Sequence, residues 1–157
     1  MVALSAAGLS AVETVRVDTI ARAVLTVATA GEGFVEITRE VARFLDDSKA
    51  RDGIVFLFLK HTSASLVIQE NADPDVQADL ITALERIAPA DAGWIHDVEG
   101  PDDMPAHIKA MINGVCLNVP VAGGRMALGT WQGIYVAEHR AQPHRREVVL
   151  QFLGSRQ

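Results

Sequence analysis

Residues 53–80 read GIVFLFLKHTSASLVIQENADPDVQADL and indicate how the chain folds. The apolar run at 53–60 predicts a buried strand, and residues 65–70 predict a second strand after a short polar link. A helix should follow, because Asp73 is a favourable N-cap and Pro74 can occupy the first helical position without losing a backbone hydrogen bond. Two short strands beside an amphipathic helix predict a domain that combines both element types.

The rest of the chain extends this pattern into an antiparallel, β-rich domain with two or three inserted helices. Alternating β-branched residues and glycine turns indicate further strands, and apolar residues at helical spacing indicate further helices. We assign residues 1–15 to a loose leader and residues 16–157 to a single domain, so the predicted fold class is α+β, a β-rich antiparallel sandwich. We predict strands at 22–29, 34–38, 115–121, 125–128, 133–139 and 147–153, helices at 38–48 and 103–112, and a turn at Gly123–Gly124.

Composition excludes several classes of protein. The 157 residues carry a formal net charge of −6, which disfavours broad nucleic-acid binding because such binding needs many lysines and arginines on phosphates. The longest apolar run, 54–59, is far too short for a membrane span. Cys116 is the single cysteine, so no intrachain disulfide can form, and we expect a cytoplasmic protein.

The polar link after the first buried strand is a candidate binding loop. His61 could act as a base or a ligand, and the hydroxyls of Thr62 and Ser63 with the loop N–H groups could hold phosphate oxygens. Alternatively, this is a polar strand end whose hydroxyls satisfy the backbone of a turn. Glu70, at the end of the next strand, could ligate a cation or orient a histidine, although most exposed glutamates do neither.

Residues 94–107 contain two histidines separated by a turn rich in proline and aspartate. This turn could fold back and bring His96 close to His107, with Asp102, Asp103 or Glu99 as a ligand or as a partner of a ligand. That reading predicts a divalent-metal site. The alternative is a histidine at the edge of the core that bonds a backbone carbonyl.

Residues 129–140 combine an aromatic residue between glycines with a charged strand end. Trp131 could approach a ligand or a subunit closely, or could fill a bulge. Strand alternation sends Glu138 and Arg140 to one face and His139 to the other, so one face must carry charge, as at a functional site or a subunit interface. Arg140 could grip phosphate together with Arg145 and Arg146, although the last two fit a solvated turn more simply.

Three segments together resemble one protein family. HTSASLVIQENADPDVQADL at 61–80, HDVEGPDDMPAHIKA at 96–110 and GTWQGIYVAEHR at 129–140 resemble the YjbQ-like family, also named secondary thiamine-phosphate synthases. The resemblance runs from about Arg22 to Leu153. It implies a compact β-sandwich-like α+β fold, a homotrimer with sites near subunit contacts, and a weak activity like that of a thiamine-phosphate synthase.

The resemblance also implies a set of site residues and a reaction. The reaction joins a pyrimidine-methyl diphosphate to a thiazole phosphate and releases pyrophosphate, as a transferase does, with a divalent metal as a possible cofactor and a small phosphorylated molecule as ligand. The alternatives are a trimeric metal- or anion-binding module without turnover, and a polar network at an interface. We expect His61, Glu70, Glu138 and Arg140 to be catalytic, Thr62, Ser63, Asn71, Trp131 and Gln132 to bind substrate, and His96, His107 and His139 to bind the metal.

Overall fold

A computed structural model describes residues 7–157 of the chain. Residues 7–18 are exposed and form neither helix nor strand, and the first six residues of the predicted leader lie outside the described range. The helices are α1 (Thr38–Asp47), α2 (Pro74–Ile87) and α3 (Asp103–Asn113). The strands are β1 (Thr19–Thr29), β2 (Gly33–Glu36), β3 (Ala50–Leu59), β4 (Ala64–Glu70), β5 (Cys116–Ala122), β6 (Arg125–Met126), β7 (Gln132–Glu138) and β8 (His144–Arg156).

The strands form two antiparallel sheets that share one apolar core. The larger sheet has the order β1-β8-β3-β5-β6, and the smaller one has the order β2-β7-β4. Val55 and Leu57 from the larger sheet and Leu66 and Val136 from the smaller one belong to the same buried cluster. The predicted α+β class with antiparallel sheets and three helices is therefore confirmed.

Several predicted boundaries follow from local chemistry. The Asp73 side chain accepts a hydrogen bond from the Asp75 N–H at 2.9 Å and caps α2, as its position before Pro74 predicts. Gly123 and Gly124 have φ angles of 56° and 80°, a left-handed conformation that suits glycine in the tight turn between β5 and β6.

Other strands differ in length from the predictions. β1 begins at Thr19 because it pairs with β8 continuously up to Gly154, and β8 itself extends from His144 to Arg156. β6 has only two residues, shorter than the predicted 125–128. Pairing with a long neighbour adds residues that have little strand preference of their own.

The larger sheet has one face in the core and one face open to solvent. Directly opposed residues of neighbouring strands point to the same face, so the register defines rows across it. Ile20, Val24, Ile54 and Phe58 are 63%, 56%, 40% and 48% exposed. We call this surface the outer face; two of its rows are Ile20–Leu153–Ile54–Pro120 and Val24–Val149–Phe58–Cys116.

Helix α3 lies against β4 of the smaller sheet and carries the buried charged residues Asp103 and Lys109. Ala106 and Ala110 face the sheet, and the amide of Asn113 donates to Ser65 Oγ at 3.3 Å. Lys109 is almost fully buried and its ammonium donates to Glu32 at 2.6 Å. Among residues 7–157, no helix combines the length and the apolar character that a bilayer crossing requires.

Candidate functional site

A buried carboxylate at the start of α3 gathers side chains from three segments. Asp103 Oδ2 lies 2.8 Å from His96 Nε2 and 3.3 Å from His107 Nε2, and Asp103 Oδ1 accepts from Arg140 Nη1. The Asp103 side chain is only 2% exposed. We call these four residues the Asp103 cluster; ligand atoms of its two histidines and of Asp103 all lie within 4.8 Å of one another.

The orientation of His107 leaves a lone pair facing the carboxylate. Its Nδ1–H donates to the carbonyl oxygen of Thr62 at 3.0 Å, and a carbonyl can only accept. In the neutral ring, Nε2 then carries the lone pair and faces Asp103 Oδ2. Two electron-rich atoms at 3.3 Å need a positive charge between them, either a proton or a metal ion.

Arg140 ties the cluster to the loop that precedes α3. Its Nε donates to Asp102 Oδ2 at 3.0 Å and its Nη2 donates to the Glu99 carbonyl at 2.7 Å. Burial opposes its charge, but the hydrogen bond to Asp102 and the nearby carboxylates outweigh it and raise the pKa of Arg140. All three guanidinium nitrogens are therefore engaged by residues of the 99–103 segment.

An open groove of about 750 Å³ begins at His107. Its walls are largely apolar, and apart from His107 of α3 its polar residues come from the link between β3 and β4. Six of its lining residues are Phe58, Met111, Val115, Lys60, His61 and His107.

His61 presents a neutral donor to this groove. Its Nε2 accepts the Glu147 backbone N–H at 2.9 Å, so the ring proton is on Nδ1. Burial, followed by the positive charge of Arg146, lowers the pKa of His61. Lys60 Nζ, at the same end, bonds Glu147 at 2.7 Å.

Glu138 lies in the core and not in the groove. Its carboxylate accepts from Arg146 Nε at 2.7 Å and from the Thr29 hydroxyl at 2.8 Å. Burial would raise its pKa, but the hydrogen bonds from Arg146, the Arg140 N–H and Thr29 lower it. Arg146 also donates to the Ser63 carbonyl at 3.3 Å, so this pair supports the backbone beneath the polar link.

The set of three metal-binding histidines predicted from the sequence is divided in the structure. His139 Nε2 bonds Ser65 Oγ at 2.8 Å, and the ring is 3% exposed. Burial, followed by the charge of Lys109, lowers the pKa of His139 to about 4. In the part of the chain that the structure describes, the candidate metal group consists of His96, Asp103 and His107 and does not include His139. We call Thr29, Ser65, Glu138, His139 and Arg146 the Glu138 network.

Four further predicted site residues lie at the end of the smaller sheet that is farthest from Glu138. Ala64 pairs with Glu138, whereas Glu70 pairs with Gln132, six residues further along. At about 3.3 Å per strand residue, these ends are about 20 Å apart. The residues at this distant end are Glu70, Asn71, Trp131 and Gln132.

The hydrogen bonds at that end support a loop structure. Glu70 Oε1 accepts the backbone N–H groups of Ala72 and Asp73, at 3.1 and 3.2 Å. The Asn71 N–H donates to the Trp131 carbonyl at 3.1 Å, and the Trp131 side chain is 64% exposed. Within one chain, these residues therefore lie apart from the Asp103 cluster.

The interpretation of Arg146 as part of a solvated turn is wrong. Arg146 is 3% exposed and pairs with Glu138. The signal was strand alternation: Arg146 lies two residues before Val148 and shares its face with Leu150 and Phe152, which point into the core.

Comparison with known proteins agrees with the fold and the motifs. A family model described as UPF0047 protein YjbQ-like matches residues 23–155. The UPF0047 protein YjbQ of Salmonella typhimurium is 42% identical over 131 residues, which cover 83% of this chain and 95% of the relative. A UPF0047 protein of Synechocystis is 41% identical over 132 residues, covering 83% of this chain and 90% of the relative.

A solved structure gives the same result. An uncharacterized conserved protein of the YjbQ/UPF0047 family from Clostridium acetobutylicum superposes with a TM-score of 0.78 at 36% identity. The match covers 83% of this chain and 98% of that structure. The chain thus belongs to the YjbQ-like family, as its three motifs predicted.

Proposed function

We propose that the Asp103 cluster binds a divalent cation and that the adjoining groove binds a small phosphorylated molecule. The observation that carries the proposal is the His107 lone pair, which its bond to the Thr62 carbonyl turns toward Asp103 Oδ2. Metal-binding histidines usually donate their second ring N–H to a carbonyl or carboxylate in this manner.

The ligand set fits a site that keeps open positions. His96, His107 and Asp103 supply two imidazoles and one carboxylate, a set used by catalytic zinc and other first-row divalent ions. Asp102 and Glu99 add two carboxylates nearby against the single guanidinium of Arg140, so the local charge favours a cation.

The groove supports the choice of a phosphorylated ligand. Its His107 end would bring a phosphate to the open metal positions, while Phe58, Met111 and Val115 offer apolar walls to a ring. His61 Nδ1–H can donate to a phosphate oxygen without itself changing protonation.

The finer proposal is a transfer like that of thiamine-phosphate synthase. The C–O bond between the pyrimidine methylene and its diphosphate breaks, and pyrophosphate leaves with the bonding electrons. The thiazole nitrogen uses its lone pair to form the new C–N bond, so no proton needs to be removed. A bound cation would offset the charge of the leaving diphosphate, and His61 would donate to its oxygens.

One observation favours the alternative, a binding module without turnover. Both nitrogens of a neutral His61 lack a free lone pair, and the guanidinium of Arg140 is engaged by Asp102 and Asp103. In this module, the same cation and groove would hold the phosphorylated molecule without chemistry.

We also propose that copies of the chain associate as a homotrimer through the outer face. Rows of apolar side chains across four strands are typical of subunit interfaces and rare on monomers. Ile54→Asp and Val24→Asp would place a charge in this surface, and sedimentation should then show a smaller assembly. A purified chain that sediments as a monomer would contradict the proposal.

The metal is tested first by elemental analysis of the purified chain. We expect about one divalent ion per chain, its loss in His107→Ala, and its retention in the matched variant His144→Ala. Pyrophosphate release from the two ring substrates then separates enzyme from module. A chain without metal even after reconstitution would contradict the proposed site, whereas metal and ligand binding without pyrophosphate release would favour the module.

A further inference from the structure

A second cavity touches the Asp103 cluster from the His96 side. It has a volume of about 590 Å³, and His96 forms one of its walls, as His107 does for the groove. We call this cavity the Trp94 recess; it is lined by Ala92, Gly93, Trp94, Ile95, His96 and Met104. We propose that the Trp94 recess is a second ligand site, which takes the flat apolar or heteroaromatic ring of a phosphorylated molecule.

The recess is built for a ring and not for a phosphate. Apart from His96, its lining has no ionisable side chain. Trp94 Nε1 donates to the Pro89 carbonyl at 2.8 Å, which anchors the N–H edge of the indole. An oriented indole, the Met104 thioether and the Ile95 side chain offer stacking and apolar contacts to an aromatic ring.

The phosphate of such a ligand has its partner at the inner end of the recess. This step rests on the proposed cation, since His96 is at once a wall of the recess and a member of the candidate metal group. His96 Nε2 is held at 2.8 Å from Asp103 Oδ2, so the ring that lines the recess also leads to the metal position. One ligand could therefore place its ring in the recess and its phosphate on the cation.

The two cavities together give the site two entrances. The ring centroids of His96 and His107 are 5.6 Å apart, so the recess and the groove approach the proposed metal position from the two members of one imidazole pair.

The test uses the fluorescence of Trp94 in the full chain. The chain has two tryptophans, and Trp131→Phe leaves Trp94 as the only indole. The metal-loaded protein is titrated with phenyl phosphate and, as the matched probe without a ring, with inorganic phosphate. We expect a saturable change in Trp94 emission with phenyl phosphate, at an affinity about tenfold higher than that of inorganic phosphate, from partial burial of the ring.

Two matched substitutions show whether the phenyl ring binds in the Trp94 recess or in the groove. Ile95 lines the recess and is 100% exposed, and Met111 lines the groove and is 78% exposed, so a glutamate at either position leaves the core intact. We expect Ile95→Glu to lower the affinity for phenyl phosphate, measured from Trp94 emission, at least tenfold. Met111→Glu should change this affinity less than twofold. The reverse pattern, or no saturable change in a chain that holds metal, would overturn the second site. A chain that elemental analysis finds free of metal after reconstitution would instead overturn the proposed function, and the second site with it.

Discussion

Glu138, His139 and Arg140 are consecutive in the chain, yet they belong to two regions with opposite properties. In the Glu138 network, the carboxylate is satisfied by Arg146 and Thr29, and the His139 ring is bonded to Ser65. In the Asp103 cluster, His107 Nε2 and Asp103 Oδ2 face each other at 3.3 Å, a contact that needs a proton or a metal ion between the two atoms. Similar residue types therefore serve stability in one region and suggest binding in the other. The Glu138 network supplies every donor from its own side chains, whereas the His107–Asp103 contact needs a proton or a metal ion.

The largest effect should follow from breaking the Glu138 network. Glu138→Ala leaves Arg146 buried without its partner, and we expect the free energy of unfolding to fall by about 3–5 kcal/mol. Urea denaturation at neutral pH measures this loss. The control is Asp47→Ala, whose exposed pair with Arg43 should contribute less than about 1 kcal/mol. A Glu138→Ala protein of unchanged stability would contradict the structural role of this residue.

Acid should weaken the same network through His139. Its pKa falls from 6.5 to about 4 on folding, so between these two pH values the unfolded chain binds a proton that the folded chain does not bind. Stability should decline as the pH drops below about 6.5, by a total of about 3 kcal/mol, with no further loss from this group below pH 4. His139→Gln should remove this part of the pH dependence in urea titrations, and an identical pH profile for the two proteins would rule it out.

In the Asp103 cluster, the effect that we predict is on metal affinity. Asp103→Asn keeps the side-chain shape but removes the charge between His96 and His107. We expect divalent-cation affinity to fall at least about 100-fold, since loss of even an outer partner of a metal ligand costs roughly 10–100-fold. Competition with a chromophoric chelator measures the affinity, and an unchanged value would place the cation elsewhere.

We expect the smallest effect for Arg140, which connects the Asp103 cluster to the loop that precedes α3. Arg140→Lys keeps the charge but cannot bond Asp102, Asp103 and the Glu99 carbonyl together. We expect metal affinity to weaken about tenfold, as for an outer partner that orients a ligand. A loss equal to that of Asp103→Asn would indicate a more direct role for Arg140.

Sequence reasoning was most successful where the chemistry is local. The Asp73 cap and the Gly123–Gly124 turn depend on a few neighbouring residues, and the meeting of His96 with His107 depends on one proline-rich turn. Strand alternation placed Glu138 and Arg140 on one face and His139 on the other, and this prediction is wrong. β7 ends at Glu138, so Glu138 and His139 are both buried while Arg140 joins the Asp103 cluster.

What the sequence could not give was the distance between segments. Trp131 and Arg140 stand in one short motif, but an intervening extended strand carries them to opposite ends of the sheet. The central place of Asp103 could not be distinguished from that of Asp102 next to it, because the choice depends on which carboxylate α3 turns inward.

Phe58 belongs both to the outer face and to the wall of the groove. If copies meet on that face, dilution would alter the shape of the cavity as well as the mass of the particle. Specific activity or ligand affinity would then rise with protein concentration before reaching a plateau, and a weak activity measured in dilute solution would underestimate that of the assembled protein.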